Sequence, residues 1–111
     1  MTKREFLRGY IIMGRRIALK EKQLQRLHGE ALDILKEDIR REIAELQEKR
    51  REILRVIDTA PTELERMIME AQFINGENRR NIARMTGYSK SHQQRQYADA
   101  MKKMQFPEGV A

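Results

Sequence analysis

Residues 81 to 97 read NIARMTGYSKSHQQRQY, and this stretch decides what kind of fold the chain can adopt. Ala83 is a small residue where a second helix could cross the first, and Gly87, four positions on, tolerates the positive φ of a tight turn. Ile82 falls inward beside Ala83, and Ser89 is a good N-cap for a further helix. The spacing predicts a short helix over residues 78 to 85, a turn at Thr86-Gly87-Tyr88 and a last helix to about residue 104. Upstream, Thr62-Glu63-Leu64-Glu65 forms a capping box, and Leu64, Met67, Ile68, Ala71 and Ile74 line one side of a helix that stops at Asn75-Gly76. Residues 62 to 105 therefore read as a three-helix module with a helix-turn-helix at its end. The tail, residues 106 to 111, begins Phe106-Pro107-Glu108-Gly109 and is expected to fray.

Ahead of the module, Asp58-Thr59-Ala60-Pro61 breaks the chain, because proline removes a donor and pushes the preceding residue out of the α region. Residues 1 to 58 are helical by pattern. Phe6, Tyr10, Met13, Ile17, Leu24 and Leu27 recur at four- and three-residue steps, with Lys20 in the vacant slot. Leu32, Ile39, Ile43, Leu46, Ile53 and Ile57 repeat the pattern, with Lys36 and Arg50 in two slots. Glu45 and Lys49 add helix-supporting charge at i, i+4. If Gly29 permits a reversal, the two stripes face each other in an antiparallel hairpin; otherwise they form one rod that pairs with another chain as a coiled coil. Lys and Arg in a dry seam are costly, which favours a short or wet interface. Association of two copies through these N-terminal helices stays open. The fold class expected is all-α.

Composition agrees and excludes other classes. The 111 residues are 36% charged and 5% aromatic with few glycines and prolines, a balance that favours surface-rich helices. The net charge of +6 suits a polyanionic partner such as double-stranded DNA. With no cysteine and two isolated histidines, His28 and His92, no metal site and no cofactor are expected. The apolar run from residue 10 to 13 is too short for a signal core or a membrane span, so a cytoplasmic protein without a membrane partner is expected. No phosphate-binding glycine loop or paired carboxylates on one helix face point to catalysis, and the chain does not read as an enzyme. Met67, Met69, Met85, Met101 and Met104 lie on or near inward stripes and read as flexible core filler.

The residues around the predicted turn carry the candidate chemistry. Residues 79 to 104 hold seven Lys/Arg against one acid, Asp99. On the first turns of the last helix, Lys90, Ser91, His92, Gln94 and Arg95 are placed as candidate base readers, since Gln can pair with adenine and Arg with guanine in the major groove. Arg79, Arg80, Arg84, Ser89, Lys102 and Lys103 are candidate phosphate contacts. The first helix carries eight Lys/Arg and two Glu between residues 3 and 26; that face reads as solvated, phosphate-contacting or protein-binding.

The stretches RMIMEAQFING (66 to 76), NIARMTGYSKS (81 to 91) and RQYADAMKKM (95 to 104) resemble the C-terminal half of a group of phage and prophage proteins of Gram-positive bacteria. Their last domain is similar to region four of sigma factors, and the group includes ArpU-like late transcription regulators. Phe73-Ile74-Asn75-Gly76, Ile82-Ala83, Gly87-Tyr88-Ser89, Arg95, Tyr97 and Ala100 carry the likeness, over about 40 residues. It implies a sequence-specific transcription regulator of phage type in a bacterial host cell, reading DNA through residues 89 to 97. The chain departs from the group at Arg79-Arg80-Asn81, where a tryptophan and acids are common, and at Gln93 and Gln96, where aliphatic residues are common. Gln93 falls on the stripe that should pack inward, so either its amide finds partners or the last helix is rotated. A protein-binding adaptor that engages RNA polymerase or a phage component is the alternative, and a recogniser resembling small terminases is a third reading.

Overall fold

A computed structural model describes residues 1–28 and 32–111. The protein is all-α, as composition and periodicity predict. The described residues form five α-helices, α1 (Lys3–Arg26), α2 (Asp33–Asp58), α3 (Glu63–Met69), α4 (Arg79–Thr86) and α5 (Lys90–Lys103), and a π turn at Glu70–Ile74 extends α3. Among the described residues no helix is long and apolar enough to cross a membrane.

The N-terminal half is the antiparallel hairpin rather than the rod. Gly9 of α1 lies against Ile53 of α2, Tyr10 against Arg50, and Lys20 pairs with Glu42, so the sequence positions run in opposite directions along the seam. Gly29, the expected point of reversal, lies outside the described residues. Ile17 of α1 packs with Ile39 and Ile43 of α2 under Leu24, Leu27 and Leu46, burying this part of the predicted stripes in a cluster separate from the module.

The basic residues in the heptad slots are accommodated individually. Lys20 finds the Glu42 carboxylate. The Arg50 guanidinium lies 3.9 Å from the centre of the Tyr10 ring, and its Nε donates to the Tyr10 carbonyl at 3.1 Å. That carbonyl is reachable because the residue one turn on is Gly14. A Cβ there would come within 3.1 Å of the Arg50 guanidinium. The arginine thus gains a hydrogen bond and an aromatic face in place of the water it leaves.

Toward its other end the hairpin joins the C-terminal module in one core. Leu7 of α1 and Ile53, Val56 and Ile57 of α2 are buried together with Ile68, Met69, Phe73, Ile82, Ala100 and Met104. Residues on both sides of the turn at 58 to 62 therefore share one hydrophobic interior. Leu7 and Val56 lie off the predicted heptad stripes, since this end of the hairpin packs on the module as well as on itself.

Two local expectations change. Thr62 caps α3 as predicted, its Oγ1 accepting from the Glu65 N–H at 3.1 Å, but the Glu65 side chain is buried and its Oε2 has no hydrogen-bond partner. Residues 106 to 111, expected to fray, are instead docked. Phe106 meets Phe6 edge-on at 5.9 Å, the Ala111 N–H donates to the Met1 carbonyl, and the Lys3 N–H to that of Ala111. The Gln105 N–H donates to Thr59 Oγ1 at 2.8 Å. An aromatic ring that can be buried against the hairpin, together with these backbone bonds, overcomes the entropy of ordering the tail.

Candidate nucleic-acid interface

The helix, turn and helix at residues 79 to 103 form from local rules. Asn78 caps α4, its Oδ1 accepting from the Asn81 N–H at 2.9 Å. The Asn81 side chain in turn donates to Glu77 at 2.8 Å. The helix ends on Gly87, whose φ of +72° is left-handed and whose N–H closes on the Ala83 carbonyl at 2.8 Å, the single-bond termination that glycine permits. Ser89 starts α5, its Oγ accepting from the His92 N–H at 3.2 Å. Ile82, 2% exposed, anchors α4 in the core.

Gln93 resolves the question of how α5 is rotated. It is 6% exposed, and its Nε2 donates to the Tyr88 carbonyl at 3.3 Å. The amide is thus held inside by the turn it follows, and α5 keeps the rotation in which Gln93, Ala100 and Met104 face inward. Tyr97 packs beside them, its ring 6.3 Å from that of Phe73.

With that face turned inward, the opposite face of α5 is set. Ser91, Gln94, Arg95 and Ala98 are exposed and line one shallow concavity, an i, i+3, i+4, i+7 row along the outer side of the helix. Lys102 continues the row one turn on, and Lys103 lies about 100° around from it. Ala98 was not among the candidates; the register counted from Ser91 would have found it, and its small side chain leaves room for Gln94 and Arg95 on either side. Lys90 is exposed on the first turn, about 100° from Ser91 around the helix.

His92 is set apart from this row. Its ring lies 4.1 Å from that of Tyr88, and its Nε2 is 3.4 Å from Gln96 Nε2, so it is held on the flank of α5 and half-buried. Arg79 is exposed with its guanidinium 5.8 Å from the centre of the Tyr97 ring, which directs it across the root of α5. Arg80 and Arg84 are exposed on the outer side of α4.

The electrostatics of α2 and of the C-terminal module differ. On α2, Lys36, Arg40, Arg41, Arg51 and Arg55 each have a carboxylate of the same helix within 4.0 Å. Among the described residues none of the seven bases between positions 79 and 103 has such an ion pair. Their charge is left facing solvent around an exposed polar row. Comparison of the chain with protein-family models, with curated proteins and with solved structures finds no match.

Proposed function

We propose that the protein is a sequence-specific DNA-binding transcriptional regulator of phage type, acting in the cytoplasm of a bacterial host, with α5 in the major groove. The observation that carries the reading is the outward row of Ser91, Gln94, Arg95 and Ala98, exposed together and surrounded by bases without carboxylate partners. Side chains of these types match what base edges offer: Gln two bonds to adenine, Arg two bonds to guanine, and alanine a methyl contact to thymine. Lys90, a candidate base reader by sequence, stands about 100° off the row and joins Arg79, Arg80, Arg84, Lys102 and Lys103 as suited to phosphates, while Ser89 is engaged as the α5 cap and reaches a phosphate only through the N-terminus it shapes. His92, braced by Tyr88 and Gln96, fits the role of holding the first turn of α5 better than that of a free reader.

Selection of bound sequences from a random duplex pool, with competitor DNA at physiological salt, tests the reading. A defined site should emerge, and Arg95→Ala should relax preference at one position by about 1–3 kcal/mol. Arg84→Gln should weaken all sequences alike. No enrichment over the starting pool would refute the proposal.

A second reading, an adaptor that engages RNA polymerase or another phage component, is favoured by Leu19, Ile34 and Leu35, which are exposed by 66%, 80% and 43% near the far end of the hairpin. These exposed apolar residues would also suit association of two copies of the chain. Binding to a protein partner that is insensitive to salt, without retention of DNA, would support it over the first.

A further inference from the structure

We infer that the outward face of α1 is a second contact for duplex DNA, a row of cations that grips the phosphate backbone beside the segment met by α5. This rests on the DNA reading above and extends it to a helix that reading does not use. Arg4, Arg8, Arg15, Lys22 and Arg26 follow one another at intervals of four, seven, seven and four residues. At about 100° and 1.5 Å per residue they fall within an arc of about 40° and make a straight row about 33 Å long. All five are exposed. The seam residues Tyr10, Ile17 and Leu24 point to the other side of the helix, and the two acids of α1, Glu5 and Glu21, project outside the arc.

Among the described residues no ion pair neutralises this row. Among the described residues none of its five members lies within 4 Å of a carboxylate, while on α2 Lys36, Arg40, Arg41, Arg51 and Arg55 are paired along the helix and at the seam Lys20 takes Glu42. The other base at the start of α1, Lys3, is also occupied, donating to the Met101 carbonyl at 2.9 Å. Five like charges lined up without partners repel one another, and a polyanion of matching length relieves that repulsion.

The row also begins beside the candidate interface. Arg8 lines a shallow cleft between α1 and the π turn with Ile12, Gln72 and Phe73. Gln72 then lines the neighbouring cleft with Arg79, Gln94 and Tyr97. One side chain, Gln72, therefore separates Arg8 from the cleft beside α5, and Arg15, Lys22 and Arg26 continue from Arg8 along the hairpin. Duplex DNA presents about one charge per 1.7 Å of axis, so a straight row of about 33 Å would lie along about ten base pairs of backbone. An anionic lipid surface fits less well, because an interfacial helix needs a broad free apolar face, and most of that of α1 is spent on α2 and the core.

The test uses the full chain and the triple variant Arg15→Gln, Lys22→Gln, Arg26→Gln, whose positions are exposed and outside the shared core. Affinity is measured against salt on random-sequence duplexes of about 12 and about 35 base pairs, the shorter with room for little more than one α5 footprint. On the longer duplex the slope of log K against log salt should become shallower by about 2–3 in the variant, with affinity down roughly tenfold or more at about 0.1 M salt. On the shorter duplex the two proteins should differ far less. Equal slopes on the longer duplex, with both proteins binding, would overturn the inference and leave the α5 reading intact. Loss of binding to anionic vesicles with an unchanged DNA slope would overturn it in favour of lipid. If the unaltered protein binds neither duplex at low salt, the DNA reading itself falls and the inference with it.

Discussion

Leu7→Ala is the substitution that examines how the two halves are joined. Leu7 is 0% exposed and sits in the core with Ile53, Val56 and Ile57 of α2 and the apolar residues of α3, α4 and α5. Truncation removes the methyl groups from water-free surroundings and leaves a cavity that helices of this length cannot close, a loss of about 3–5 kcal/mol for a fully buried leucine. Against the roughly 5–15 kcal/mol that holds an ordinary domain together, that is a large fraction. At roughly 4–5 °C per kcal/mol for a chain of this size, the melting temperature should fall by roughly 12–25 °C. The chain lacks tryptophan, and its three tyrosines divide usefully between the halves: Tyr10 reports the hairpin, Tyr88 and Tyr97 the module. Urea titration followed by the ring resonances of each tyrosine should show all three midpoints moving down together. If Tyr97 kept its midpoint while that of Tyr10 dropped, the hairpin and the module would be independent units and the shared core would be refuted. A loss below about 1 kcal/mol would refute the burial argument itself.

Other substitutions probe single features. Gly87→Ala should cost about 1–2 kcal/mol from the left-handed backbone alone, since an added Cβ meets nothing within 4 Å, and Gly87→Asn should cost less; equal melting temperatures for Gly and Ala would mean that the turn is not left-handed. Glu65→Met should raise stability by about 1–3 kcal/mol, because the buried Oε2 has no partner to lose; a marked loss in denaturant titration would show that the carboxylate is satisfied after all. The Arg55 and Arg51 guanidinium groups beside Glu48, Arg55 foremost, hold its carboxyl below the usual range. A carboxyl lowered on folding contributes its stabilisation above the unfolded pKa and loses it as pH falls through the folded one. Carboxyl NMR should therefore find Glu48 titrating at lower pH than an unpaired surface glutamate, and Arg55→Gln should return it part of the way, with Arg51 holding the rest; unchanged titration in that variant would remove the assigned cause.

Much of this architecture was legible before any coordinates. The 3.6-residue periodicity of Tyr10, Ile17, Ile39 and Ile43 announces apolar helical stripes, though hairpin and rod stay open on it alone, and the Ala83, Gly87 and Ser89 spacing announces the turn between α4 and α5, because each depends only on local chemistry. What escaped the sequence depends on partners distant along the chain. Leu7 and Val56 are buried by the module rather than by the hairpin seam. Phe73, 2% exposed, faces inward because the π turn at Glu70–Ile74 shifts the register that a regular helix would keep, and Met67, read as core filler, is left 41% exposed. The tail reads as frayed from Pro107 and Gly109, yet Phe106 finds Phe6 at the other end of the chain. On α5, helical register separates Ser91, Gln94 and Arg95 from His92, but the stacking of His92 on Tyr88 needs the geometry of the turn. Gln93 was an open position in the sequence for the same reason, since its partner is a backbone carbonyl that only the folded turn presents.

The most direct test of the central claim is a mobility-shift titration of the unaltered protein on duplex fragments from its own genomic neighbourhood, at physiological salt and with excess nonspecific competitor. The account predicts a complex on at least one fragment that survives competition and that Arg95→Ala weakens. Complexes that vanish with competitor on every fragment would contradict sequence reading by α5 and leave only a basic surface.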